Sequence, residues 1–365
     1  MSEVLVVLGT RPEIIKMGLL IKEMRRIDID VKIAHTGQQS DAFMNDFFMK
    51  AFDLKPDVEW RLKETTPVTR LSSMMTFLDT TINRLKPRMV LVEGDTDSVL
   101  AGGLVANKKS IMCGHVEAGL RSYDLRMPEE HNRRIVDHIS NFLFAPTTDA
   151  AKTLINENVW GEVSVVGNTS IDACEFFSSR IVSHNNEVAS VMGNGEFLLA
   201  TLHRQESVDH KEILESIFNA FLRSPLRIII PIHPRTKNNL INFGLWDKVK
   251  ESKKVVLVEP VDYLTFIWLM KNCKFILSDS GGVQEEATAP SIRKRVIVLR
   301  DKTDRNEAVV AGFAELVGTN TDRILSAIHQ EITTRFLPPQ EQSPYGEGYS
   351  SIAIAVIVKE ILQNV

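Results

Sequence analysis

Short apolar runs rich in β-branched residues alternate along this chain with longer segments whose apolar positions recur at helical spacing. Six such runs fall in the first half: Val4–Leu8, Val31–Thr36, Met89–Glu93, Ile111–Val116, Phe142–Ala145 and Val163–Val166. The rhythm restarts with Phe197–Thr201, Arg227–Ile232, Val255–Val258, Phe275–Ser278, Val296–Leu299 and Ala314–Val317. Most are apolar throughout rather than alternating, as parallel strands covered by helices on both faces should be. The pattern predicts an α/β chain of two Rossmann-like, doubly wound parallel-sheet domains facing a central cleft, over residues 1–172 and 173–348. The polar stretch Ser183–Gly195 reads as a linker. Residues 349–365 place Ile352, Ile354, Ala355, Ile357, Val358 and Ile361 at mainly helical spacing, which predicts an amphipathic helix.

Length agrees with that division, since 365 residues exceed what one hydrophobic core usually supports. Apolar residues at 44% leave no room for a large disordered portion. The 43 basic and 47 acidic residues are well mixed, so no basic field exists to neutralise a nucleic acid, whereas a small anionic ligand needs only a local site. Cys113, Cys174 and Cys273 are odd in number and lack metal-type spacing, which suits buried thiols in a reducing cytosol. Val4–Leu8 is too short for a signal peptide, and nothing approaches the ~18 apolar residues of a membrane span. A cytoplasmic protein with no membrane partner is expected.

The strand exits carry the chemistry. Gly9-Thr10-Arg11-Pro12-Glu13-Ile14-Ile15-Lys16 leads from the first strand into a helix, and a helix N-terminus flanked by Arg11 and Lys16 can take a diphosphate. A βα turn with solvated basic residues would look the same. Asp95, in Glu93-Gly94-Asp95-Thr96, stands where a strand hands over to a helix, as an ordinary N-cap also would. Glu117 follows the strand through His115-Val116-Glu117-Ala118-Gly119. Pro128-Glu129-Glu130 opens a helix whose acids complement the dipole and can pair with Arg133 and Arg134. Yet Asp95, Glu117 and Glu129 all belong to loops at one sheet edge, and like charges crowded together raise one another's proton affinity, which suits proton transfer.

In the second half, His203 and His233 stand on successive strand exits, either of which could be a satisfied loop histidine. Phe266 is suited to pack on a base or, more simply, in the core. Ser280-Gly281-Gly282 after a strand, with Glu286 one turn on, is the strongest signal: N–H groups and a hydroxyl for phosphate, and a carboxylate for ribose hydroxyls. The chain holds no G-x-G-x-x-G, no P-loop, no H-E-x-x-H and no C-x-x-C, so hydride transfer, P-loop chemistry and zinc catalysis lose support.

Over nearly its whole length the chain resembles the non-hydrolysing UDP-N-acetylglucosamine 2-epimerases. The matching pieces are GTRPEIIK, HTGQ, EGDTDSVLAG, HVEAGLRS, PEEHNR, FAPT, VGNTSIDA, TLHRQE, DSGGVQEEA, LRDKTDRNEAV and SPYGEG. The resemblance implies a glycosyltransferase-B-like fold, a homodimer, and a C-terminal helix that packs back on the first domain. It implies no cofactor and no metal: C2–H is lost as UDP is eliminated to 2-acetamidoglucal, and UDP re-adds with protonation on the opposite face. On matching positions Asp95, Glu117 and Glu129 are the implied acid–base carboxylates, with Lys16 and His203 acting beside them. Arg11, Phe266, Ser280, Gly281, Gly282, Glu286 and Arg305 are the implied UDP-sugar ligands.

The resemblance also places a second, activating UDP-sugar near Gln38, Gln39, Arg70 and His233. Gln39 replaces a histidine common among relatives, and the loop before Glu129 is shorter than usual. The Thr288–Arg295 turn is longer and more basic, and Asn306 replaces a customary proline. Alternatives implied by the same features are a retaining glycosyltransferase, a hydrolysing 2-epimerase, an epimerase for a UDP-2,3-diacetamido uronic acid, and a catalytically silent UDP-sugar-binding regulator.

Overall fold

The chain returns to its first half before it ends. In the computed structural model, which describes residues 3–38, 42–61, 66–181, 195–334 and 342–364, contacts divide the protein into two units. Unit 1 is Met1–Ala173 with Tyr345–Val365, and unit 2 is Cys174–Pro344. The boundaries expected from sequence were 172/173 and 348/349. The second falls earlier because Tyr345 is fully buried and its carbonyl accepts the Asn168 N–H at 2.7 Å. Apart from Gly195, the expected linker lies outside the described residues.

Unit 1 is built on seven parallel strands: β1 (Val4–Leu8), β2 (Val31–His35), β3 (Val58–Glu59), β4 (Met89–Glu93), β5 (Met112–Val116), β6 (Phe142–Ala145) and β7 (Glu162–Val165). Their order is β3-β2-β1-β4-β5-β6-β7. The central strands β1 and β4 are buried at every position, which explains the apolar run of β1 and that of β4 up to Glu93. The two-residue edge strand β3 has no such run and was not visible in the apolar pattern. Because the order reverses between β1 and β4, the loops after these two strands diverge and leave a crevice at their carboxyl ends.

The helix Arg11–Arg26 begins with proline in its first turn and buries Ile14, Met17, Gly18, Leu20, Ile21 and Met24, a stripe of helical period. Burying each large member of that stripe stabilises the fold by about 1.5–3 kcal/mol. This helix packs on the C-terminal helix Ser350–Asn364. The Asp172 carboxylate receives the Ser350 and Ser351 N–H groups at 3.1 and 2.5 Å, fixing where the C-terminal helix starts. At its far end, Arg88 donates to the Leu362 carbonyl at 2.8 Å and Lys359 to the Ile27 carbonyl at 2.7 Å.

Unit 2 has six parallel strands: β8 (Phe197–Thr201), β9 (Arg227–Pro231), β10 (Val255–Val258), β11 (Ile276–Ser278), β12 (Val296–Val298) and β13 (Ala314–Leu316). The order β10-β9-β8-β11-β12-β13 reverses between β8 and β11, so a second crevice opens beyond those strands. Its core gathers Leu198, Phe218, Phe221, Ile230, Phe275 and Ile328. No described helix in either unit is long and apolar enough to cross a membrane.

Candidate active site

At the unit 1 crevice, β1 gives way to helix Arg11–Arg26 with Thr10 as its N-cap, whose side chain caps nothing. Glu13 takes that place. Its carboxylate accepts the Gly9 N–H at 2.5 Å, the Thr10 hydroxyl at 3.0 Å and the Thr96 hydroxyl at 2.7 Å. Glu13 is 1% exposed, and burial raises its pKa from 4.5 to about 7 against those hydrogen bonds. The helix N-terminus read from sequence as an anion site thus already houses a carboxyl group of the chain itself. Gly9 permits this packing: a Cβ there would overlap the Ser98 hydroxyl.

Lys16, one turn further, lays its ammonium between Glu93 Oε1, at 3.0 Å, and Glu117 Oε2. Glu93 closes β4 and Glu117 stands just past β5. Glu117 adopts φ +66°, a left-handed conformation that costs a non-glycine residue about 1–3 kcal/mol. The surrounding chain holds it there. The Ala118 N–H reaches the Phe144 carbonyl at 3.2 Å, and Gly119, itself at φ +88°, donates to Asp137 at 3.3 Å. Gly119 has no room for a side chain, since a Cβ would strike the Ala150 carbonyl.

Asp95 is half-buried on the loop after β4. It is not the cap of the following helix: Thr96 is, accepting the Val99 N–H. The Asp95 carboxylate instead binds the Arg133 guanidinium, and its carbonyl accepts from Asn132 at 2.9 Å. Both partners lie on helix Pro128–Ile139. That helix opens with Glu129 and Glu130, which divide the labour. Glu130 is fully buried, accepts the Ser122 N–H and hydroxyl at 2.8 and 2.9 Å, and meets Arg134 at 3.1 Å. Burial works against its ionisation, but these bonds and Arg133 outweigh burial and hold it below the ordinary carboxylate range. Glu129 is exposed. The pairing foreseen for both glutamates therefore belongs to Glu130, and Glu129 is left to solvent or a ligand.

A buried network ties these loops together. The His115 ring, fully buried, bonds the Gly94 carbonyl at 2.8 Å through Nε2 and Asp137 at 2.7 Å through Nδ1. Asp137 also binds Arg121 at 2.7 Å, which continues to Glu157 at 2.7 Å. Burial would raise the Asp137 carboxyl, yet the His115 ring and Arg121 outweigh it and hold it low. Glu13, Glu93, His115 and Asp137 were not read from sequence as site residues. The one legible signal was an acid, Glu93, ending an otherwise apolar strand.

Gln38 accepts the Ser98 N–H at 3.0 Å and its hydroxyl at 2.6 Å, and Arg70 binds Asp97 at 2.7 and 3.0 Å, so both address the start of helix Asp97–Lys108. Gln39 lies outside the described residues. Arg11 is exposed at the head of its helix.

In unit 2 the crevice is organised by Asp279, fully buried after β11. Its carboxylate accepts the N–H of His203 at 3.0 Å and of Arg204 at 2.9 Å, and stands 3.5 Å from His203 Nδ1. The ring of His233 lies 5.8 Å from that of His203. Ser280 precedes the short helix Gly281–Glu286, its N–H held by Ser278 Oγ at 2.9 Å and its own side chain capping nothing. Arg305 is 8% exposed, bound to Glu285 and, at 3.0 Å, to Asp304, and its guanidinium carbon lies 3.6 Å from where a Gly281 Cβ would sit. Glu286 accepts the Tyr263 hydroxyl at 2.7 Å. Burial first, and then the Glu286 charge, push the Tyr263 phenol well above its ordinary value. Phe266 is half-buried one turn along from Tyr263. Among the described residues no cluster of His, Cys, Asp and Glu has the makings of a metal site.

These two crevices lie within a full-length likeness to known proteins. The profile of the UDP-N-acetylglucosamine 2-epimerase family matches residues 22–359. A UDP-N-acetylglucosamine 2-epimerase of Methanocaldococcus jannaschii is 40% identical over 363 residues, covering 97% of this chain and 98% of the relative. A UDP-2,3-diacetamido-2,3-dideoxy-D-glucuronate 2-epimerase of Pseudomonas aeruginosa is 35% identical over 361 residues, 97% and 98% of the two chains. The crystal structure of the M. jannaschii UDP-GlcNAc 2-epimerase in complex with UDP-GlcNAc and UDP superposes with a TM-score of 0.87, covering 98% of this chain and 100% of that one. A spinosyn rhamnosyltransferase, only 12% identical, covers 100% of this chain and 96% of its own with a TM-score of 0.53, a likeness of fold alone, to the two-domain glycosyltransferase-B type. With the family profile spanning most of its length, and relatives at 35–40% identity end to end, the chain belongs to the UDP-N-acetylglucosamine 2-epimerase family.

Proposed function

We propose that this protein interconverts UDP-N-acetylglucosamine and UDP-N-acetylmannosamine. The observation that carries this reading is the presence, at the unit 1 crevice, of two carboxylates each bound to a cation, Asp95 to Arg133 and Glu117 to the Lys16 ammonium that it shares with Glu93, with exposed Glu129 on the Arg133 helix. Inverting C2 requires one group to take the C2 proton and another to return a proton to the opposite face. As the proton leaves, the C–H electron pair becomes the C1=C2 bond, the C1–O bond breaks, and UDP departs with the electrons. UDP oxygen then re-adds to C1 of 2-acetamidoglucal while C2 is protonated from the other face. Atoms and electrons balance without an external oxidant or reductant, so no cofactor is assigned.

Unit 2 is the proposed nucleotide grip. Ser280 and the Gly281 and Gly282 amides face the diphosphate, Glu286 takes ribose hydroxyls beside Tyr263, and Phe266 packs by the uracil. Arg305, held by Glu285 and Asp304, serves this site as a pre-positioned set of N–H donors that does not have to order on binding. Lys16 and Arg11 are the cations that unit 1 offers to a departing diphosphate, and His203 is a donor on the unit 2 crevice. A second UDP-sugar contacting Gln38 and Arg70 would bear on the Asp95 loop, because these two side chains already hold the helix that follows it. The reading includes a cytoplasmic homodimer. Incubation with UDP-N-acetylglucosamine followed by NMR tests it: UDP-N-acetylmannosamine is expected, and free N-acetylmannosamine or untouched substrate would overturn it. Turnover of a UDP-2,3-diacetamido uronic acid instead would assign the specificity of the P. aeruginosa relative.

A further inference from the structure

The proposed chemistry uses Glu117 and Lys16 and leaves Glu93 without a task. Glu93 ends β4 with its side chain 2% exposed, an acid where the rest of the strand is apolar. Lys16 bridges it to the reacting end of the crevice, since the same ammonium touches Glu93 Oε1 at 3.0 Å and Glu117 Oε2. The charged groups facing Glu93 are Lys16 and Glu13 from helix Arg11–Arg26 and Glu117 from the exit of β5. An ammonium shared between two carboxylates attracts each less than it would attract one alone, and each carboxylate repels the charge of the other.

We propose that Glu93 is a positioning residue for Glu117: from the far side of the Lys16 ammonium it fixes where that cation lies and keeps Glu117 a strong enough base to act on the substrate carbon. Burial, reinforced by Glu117 and Glu13 against the opposing pull of Lys16, raises the Glu93 carboxyl well above the ordinary range. The sign follows directly. Without a negative charge at position 93, Lys16 pairs with Glu117 alone, Glu117 holds its proton less firmly, and it becomes ionised at lower pH but is a weaker base.

This inference rests on the epimerase reading, and Glu93→Gln tests it in the full-length protein. Glutamine keeps the size of the side chain and an acceptor for Lys16, which retains Glu117 as its ion-pair partner, so no unpaired charge is left buried. The expected result is an acid limb of kcat displaced to lower pH by roughly half a unit, with the plateau lowered by about twofold to threefold, as Brønsted behaviour allows for that loss of basicity, and KM little changed. Glu93→Asp, which keeps the charge, should return the limb towards the wild-type position. A lower kcat with an unmoved limb in Glu93→Gln would show a merely structural residue and overturn the proposal. A second readout needs no turnover: titration of the Glu117 carboxyl by isotope-edited infrared or carbon NMR, assigned with Glu117→Gln, should move to lower pH in Glu93→Gln. If the wild-type protein left UDP-N-acetylglucosamine untouched, the epimerase reading would fail, and this titration alone would decide the role of Glu93.

Discussion

Replacing Glu13 by glutamine isolates the cost of a buried acid at the head of the first helix. The wild-type carboxyl has its pKa raised from 4.5 to about 7 by burial. The folded state therefore holds a proton that the unfolded chain has released between these values, and wild-type stability falls as pH rises through that window, levelling off above the folded pKa. The span between 4.5 and about 7, at ~1.4 kcal/mol per pH unit, amounts to about 3 kcal/mol. Glutamine can accept the Gly9 N–H through its oxygen and offer its amide to the Thr10 and Thr96 hydroxyls, which reorient to accept. Urea unfolding of both proteins from pH 5 to 8.5 gives the difference in stability at each pH. Most other titrations cancel in that difference, the interaction with Glu93 being the one known exception. The difference should turn in favour of Glu13→Gln as pH rises, by an amount approaching 3 kcal/mol. Parallel pH profiles would refute the reasoning and show that the three donors hold Glu13 ionised.

Asp279→Ala leaves the His203 and Arg204 N–H groups buried without their acceptor and should destabilise unit 2 by about 2–4 kcal/mol in denaturant titrations, with unit 1 unaffected. Tyr263→Phe removes a hydroxyl that helps to position the Glu286 carboxylate, and calorimetry should find UDP bound severalfold more weakly while kcat at saturating substrate changes little. The three thiols are buried, with burial pushing Cys113 up to about 11 and Cys273 to about 12, so Ellman's reagent at pH 8 should react with none of them until the protein unfolds.

The fold was legible where burial imposes a simple pattern. The central strands showed as apolar runs because they are buried throughout, and β3 did not because two half-polar residues on an edge have no such pattern. At the crevices sequence pointed to the strand-exit loops without saying which group on each loop is paired and which is exposed. Asp95 and Thr96 are both plausible caps on local grounds, and only the reach of Arg133 across from another helix sets Asp95 apart. Glu129 and Glu130 are adjacent and chemically alike. Which is buried depends on the Ser122 loop folding back over one of them. His115 and Asp137 read as one strand residue and one helix residue, and their contact depends on how helix Pro128–Ile139 packs on β5. Glu13 was hidden in a motif that looked like an anion site, because a carboxylate that reaches back to its own helix start satisfies the donors that a phosphate would have used.

The most direct test of the epimerase account is the fate of the C2 hydrogen in deuterated water. Wild-type protein given UDP-N-acetylglucosamine should place solvent deuterium at C2 of UDP-N-acetylmannosamine and, by reversal, of recovered substrate. Asp95→Asn, Glu117→Gln and Glu129→Gln should each slow that exchange by about 10²-fold or more. Product formed with its original C2 hydrogen retained, or exchange undiminished in all three variants, would contradict the account.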